Sequence, residues 1–87
     1  MMSTIADVKS QLGEAFKRTD EVTGQLDGAL TMIEEAQAIV LAATDGSAHR
    51  AVEQLTSALM ETRERIQESL AVLGSAVQEV RDYSDGL

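Results

Sequence analysis

The sequence predicts an all-α fold: a two-helix antiparallel hairpin, coiled-coil-like, expected to assemble into a four-helix bundle. Three observations carry that reading. There is no proline in 87 residues, and the only aromatic side chains are one Phe and one Tyr. Long helices tolerate that composition, whereas sheets favour aromatic and β-branched residues. Apolar residues recur at every seventh position along two long stretches. A single polar break, Thr44-Asp45-Gly46-Ser47, separates those stretches. The whole chain, 1–87, therefore reads as one domain, with helix 1 over about 4–44, a turn at 45–47 and helix 2 over about 48–84.

Helix 1 opens on Thr4-Ile5-Ala6-Asp7. A hydroxyl that accepts from an early amide, with an acid three residues later, is a capping box, and Asp7 also suits the positive end of the helix dipole. Ile5, Leu12, Thr19, Leu26, Ile33 and Val40 then follow at steps of seven, with Val8, Ala15, Phe16, Val22, Ala29, Leu30 and Ala36 filling the stripe. This spacing places them on one helix face, and strict sevens imply a left-handed supercoiled seam. Glycines Gly13, Gly24 and Gly28 interrupt the helix. They read as surface glycines or a slight bend. The alternative is close backbone approach at Gly24-x-x-x-Gly28, a motif best supported in membranes.

At the break, Gly46 can take the left-handed conformation that ends a helix, and Ser47 can cap the next. Helix 2 repeats the seven-residue step in Val52, Leu59, Ile66, Leu73, Val80 and Leu87, accompanied by Leu55, Leu70, Ala76, Val77 and Tyr83. So short a connection makes the helices antiparallel neighbours, with facing residue numbers summing to about 91 or 92. Val40 then faces Val52, Ile33 faces Leu59, Leu26 faces Ile66, Leu12 faces Val80, and Phe16 falls near Ala76. The hairpin seam is thus Leu12, Phe16, Leu26, Ile33, Val40, Val52, Leu59, Ile66, Leu73 and Val80, with Asp45, Gly46 and Ser47 as the turn. A faint echo of Gln25-Leu26-x-x-Ala29-Leu30 in Gln54-Leu55-x-x-Ala58-Leu59 is chance similarity between amphipathic helices.

One seam leaves apolar character over. Ile39 to Ala43 point in all directions, and Met32 and Met60 lie off the stripe; an all-round apolar segment is normally covered on more than one side. Met32, Ile39, Leu41 and Met60 are therefore the expected interaction surface, covered by a second hairpin of the same or another chain.

The net charge is −8, divided as seven acids and three bases over 1–43 and eight acids and four bases over 44–87. Such a surface repels a phosphate backbone and an anionic membrane. Asp7, Glu14, Glu21, Glu35, Glu61, Glu64 and Glu68 fall opposite the seam as a solvated acidic face. No apolar run is long enough to span a bilayer, and MMSTIADVKS has no signal-peptide pattern. The expected location is cytoplasmic, with export by a signal-peptide-independent route as the alternative.

Chemistry-bearing patterns do not appear. Cysteine is absent, which excludes disulfides and thiolate metal sites. His49, placed in the first turn of helix 2, is the only histidine and reads as solvated. Glu34-Glu35 and Glu61-x-x-Glu64 lack the Glu-x-x-His element that carboxylate-bridged metal sites in bundles require. Arg63 and Arg65 read as surface ion pairs with Glu61, Glu64 and Glu68. No phosphate loop, nucleophile elbow or zinc pattern is present. No catalytic, metal or cofactor residues are assigned, and the chain is expected not to be an enzyme.

The layout resembles the small type VII secretion substrates, short acidic helical hairpins with a Trp-x-Gly turn near the middle. The matching place is Thr44-Asp45-Gly46, where the glycine agrees and the tryptophan is absent. The family's C-terminal Tyr-x-x-x-Asp/Glu signal corresponds to Tyr83 followed by Leu87, without the acid. The resemblance implies dimeric four-helix packing and export. The leading functional expectation is a non-enzymatic interaction module that forms a homodimer or packs on a second helical protein. A type VII-like substrate or chaperone-like partner is one alternative, and an acidic inhibitor or nucleic-acid mimic of a basic partner is the other.

Overall fold

The computed structural model describes residues 4–44 and 49–87. They form two helices, α1 over Ile5–Ala43 and α2 over Arg50–Asp85, with no strand among the described residues. This is the predicted all-α hairpin. The helices run in opposite senses: Leu12 shares a groove with Val80, Phe16 lies under Arg81, and Glu34 pairs with Arg63. The predicted turn residues Asp45, Gly46 and Ser47 lie outside the described residues.

The first cap forms as the sequence predicts. The Asp7 amide donates to Thr4 Oγ1 at 3.1 Å, and the Thr4 amide donates to Asp7 Oδ2 at 3.3 Å. Two early donors that helix geometry leaves without partners are thereby satisfied. At the other end of α1, the Thr44 amide donates to the Val40 carbonyl at 3.0 Å.

The start of α2 differs from the prediction. Its N-cap is His49, not Ser47, and the helix begins at Arg50 rather than near 48. The His49 imidazole does the capping: Nδ1 accepts from the Ala51 amide at 3.1 Å. His49 thus precedes the first turn instead of lying within it. The helix ends at Gly86, one residue beyond Asp85, in an ordinary right-handed conformation.

Half-buried residues trace one seam at alternating steps of three and four, the coiled-coil spacing. One column, the d positions, is Leu12, Thr19, Leu26, Ile33 and Val40 with Val52, Leu59, Ile66 and Leu73. Val80 continues this column but is 37% exposed, at the rim of the contact. The other column, the a positions, is Phe16, Thr23, Leu30, Gln37 and Thr44 with Thr56, Arg63, Leu70, Val77 and Ser84. The a column is half polar, which hydrophobic periodicity could not reveal. Two of its three threonines, Thr44 and Thr56, turn inward on their own helix. Thr56 Oγ1 donates to the Val52 carbonyl at 2.9 Å, and Thr44 likewise donates to Val40. Thr19, in the d column, donates to Ala15 at 2.8 Å. A hydroxyl satisfied by the fourth carbonyl back no longer needs water or a partner across the seam.

Not one described residue is buried. The molecule is a rod of 64 × 21 × 15 Å, and each helix covers only one stripe of its neighbour.

Candidate interaction surface

Two further columns flank the seam on one side. In α1 they are the g positions Val8, Ala15, Val22, Ala29, Ala36 and Ala43 and the c positions Gln11, Arg18, Gln25, Met32 and Ile39. In α2 they are Leu55, Thr62, Ser69, Ala76 and Tyr83 at g, with Ala51, Ala58, Arg65, Val72 and Glu79 at c. Both sets border the same side of the hairpin, because Ala15 and Ala76 line one groove together with Leu12, Phe16, Thr19, Leu73, Val77 and Val80. That groove is overwhelmingly apolar and holds about 310 Å³. It also brings together Leu12 with Val80 and Phe16 with Ala76, as the predicted register requires.

Exposed large apolar residues gather on this side. Met32 is 70% exposed, Ile39 and Val72 68%, Leu55 48% and Val22 45%. The four residues expected to form the interaction surface are all exposed, but they divide between two flanks. Met32 and Ile39 belong to this face. Leu41 and Met60 are e positions and lie across the seam among Asp20, Asp27, Glu34 and Glu53. Val72 joins the first face unannounced, since it stands outside the seven-residue lists.

Charge is segregated in the same sense. Every acid of α1 occupies an e or f position: Asp7, Glu14, Asp20, Glu21, Asp27, Glu34 and Glu35. The c/g face carries only Arg18, Arg65 and Glu79. Both arginines are engaged by acids on the adjoining edge. Arg18 lies 3.7 Å from Glu14 and 3.5 Å from Glu21, and Arg65 donates to Glu61 at 2.7 Å. The face is therefore apolar and nearly neutral, on a chain of net charge −8.

On the opposite flank the polar groups work within the hairpin. Arg81 places its guanidinium carbon 4.7 Å from the centre of the Phe16 ring, a cation–π contact. Arg63 is a seam residue rather than a local surface partner of Glu61, Glu64 and Glu68. It crosses to Glu34 at 3.4 Å, and its Nε is buried without a hydrogen-bond partner. Arg65 keeps the local pairing the sequence suggests.

Among the described residues, no group of three or more His, Asp or Glu side chains converges as metal ligands. No described helix is long and apolar enough to cross a membrane. A Cβ built on Gly24 or Gly28 meets nothing within 4 Å, so neither glycine serves a close contact inside the chain. In comparisons with known protein families, curated proteins and solved structures, none matches this chain.

Proposed function

We propose that this chain is a non-enzymatic protein–protein interaction module, an acidic helical hairpin whose apolar flank packs on the helices of a partner protein. The supporting observation is that no described residue is buried, although apolar residues fill both a seam and a flank. A folded chain gains most of its stability by removing apolar surface from water, and here much of that surface is still wet. Nucleic acid is a poor partner for so acidic a rod. The module would work in the cytoplasm, or beyond it if the chain is exported as the type VII hairpins it resembles are.

The test is the thermal melt of the isolated chain as a function of its concentration. A module whose folding is completed by association is weakly helical alone, or melts at a temperature that rises with concentration. A strongly helical, monomeric chain with a steep, concentration-independent melt overturns the proposal.

A further inference from the structure

Resting on that reading, we propose that the c/g side of the hairpin seats a single amphipathic helix of another protein, one whose apolar stripe is edged with Lys and Arg, so that three helices share one core. Width selects one helix, and charge selects its sign.

Among the described residues neither g column contains a charged side chain, from Val8 to Ala43 in α1 and from Leu55 to Tyr83 in α2. The e columns, their counterparts on the other side of the seam, carry Asp20, Asp27, Glu34, Glu53 and Arg81. On the g side charge resumes only farther out, at Arg18, Arg65 and Glu79 in the c columns. The rod is 21 Å across, about two helix diameters, so the uncharged strip over the groove between α1 and α2 is about one helix wide. A helix laid there touches both g columns and covers Val22, Leu55 and Tyr83, which are 45%, 48% and 62% exposed. Met32, Ile39 and Val72 flank it from the c columns. From Val8 to Ala43 the strip runs about 50 Å, enough for a partner helix of about 30 residues.

The chain itself shows how a cation over this face is held. Arg18, in a c column, lies 3.7 Å from Glu14 and 3.5 Å from Glu21, and Arg65, also in a c column, donates to Glu61 at 2.7 Å. All three acids are f residues, so f carboxylates reach inward to the c level. At Met32, Ile39 and Val72 the c column offers them no cation. The f acids beside those residues, Glu35 and Glu68, form no ion pair with a described residue, and neither does Glu79. Glu68 lines one depression together with Ser69, Val72 and Leu73, at the edge of the strip. A partner's Lys or Arg at these places continues the pattern that Arg18 and Arg65 begin. Apolar contact supplies most of the affinity, since exposed ion pairs each add little, while the acids decide which helix is accepted. A second copy of this chain would instead bring further acids to the same edges.

The experiment uses the full chain at physiological salt and two synthetic helical peptides of about 28 residues. Both carry the same Leu and Ala stripe; one is edged with Lys, the other with Glu. By fluorescence anisotropy the Lys-edged peptide binds at least about tenfold more tightly than the Glu-edged one. Glu35→Lys and Glu68→Lys together, both exposed and harmless to the seam, remove that preference. Asp20→Lys and Asp27→Lys together make the same change of charge on the e side and leave the affinity within about threefold, because screening confines each charge to its own flank. The chain has no native cysteine, so the seat can also be read directly. A spin-labelled Lys-edged peptide quenches a fluorophore at Ser69→Cys, in a g column, more strongly than one at Gln67→Cys, in an e column. Equal binding of the two peptides, equal loss from both double variants, or quenching at Gln67→Cys as strong as at Ser69→Cys overturns the inference. So does a chain that pairs with itself and binds neither peptide. The two proposals fail differently. A concentration-dependent melt without peptide preference removes the basic-edged helix and leaves the interaction module. A stable, steeply melting monomer that binds neither peptide removes both.

Discussion

Arg63 is the residue that departs furthest from its sequence reading. Its neighbours Glu61 and Glu64 invite local pairing, yet the 3-4 alternation carries position 63 into the seam, and the side chain reaches Glu34 instead. The ion pair is half exposed, so it contributes little, while the unpartnered Nε is a standing cost. Arg63→Met should therefore melt no lower than the natural chain, because an unbranched apolar residue nearer to its reach removes that cost. A drop of more than about 1 kcal/mol in chemical denaturation would show the pair to matter more than its exposure implies. His49 is a second case. Histidine is not among the favoured N-caps, and Asp or Ser is better by up to about 1 kcal/mol. His49→Asp should raise the melting temperature by a few degrees, and it also sets a negative charge at the positive end of α2. An unchanged or lower melting temperature would mean that the imidazole does more than cap.

At the scale of the helix, the sequence was most informative where its signals are local or apolar. The Thr4–Asp7 box is a four-residue pattern and formed as read. The d column consists almost wholly of Leu, Ile and Val, so periodicity exposed it. The a column did not announce itself, because Thr23, Gln37, Thr56 and Arg63 are polar residues brought into the seam by the partner helix and not by their own hydrophobicity. The start of α2 was misplaced for a related reason: a serine is the stronger cap in isolation, yet the helix begins after His49. The exposed apolar flank was half legible, since off-stripe apolar residues can be found in sequence but assigned to a side only with the antiparallel geometry in hand. Two predictions belong here. Leu26→Asp or Ile66→Asp places an unpaired charge in the d column and should abolish the cooperative melt, whereas Glu64→Ala should shift it by less than about 0.5 kcal/mol. Comparable melts for both kinds of variant would show the seam to be misassigned. Gly24→Ala and Gly28→Ala should each stabilise α1 by about 0.5–1 kcal/mol, because both sites are helical and open to solvent. Destabilisation at either would point to a backbone contact with another chain at that site.

For the molecule as a whole, the chain is strongly acidic, yet its c/g face carries only Arg18, Arg65 and Glu79 as charged residues. If two copies pair through apolar surface, like net charges come together, so added salt should strengthen the pairing or leave it unchanged, the reverse of an interface held by ion pairs. A sedimentation-equilibrium constant that weakens by an order of magnitude between low and high salt would contradict this.

The rod shape has a consequence for hydrodynamics. The Cα radius of gyration is 19.7 Å, where a compact domain of this length would have about 12 Å and only a chain of about 320 residues would reach the observed value. A single hairpin therefore travels through a porous matrix as a far larger sphere would, and elution volume alone would report an oligomer where there is none. Pairing two such rods flank to flank thickens them without lengthening them. Small-angle scattering should accordingly find the forward intensity per unit concentration doubling from the dilute limit to the paired state while the radius of gyration increases by only about a tenth, because mass added beside a long axis contributes little to the second moment along it. End-to-end association would instead enlarge that radius by more than half.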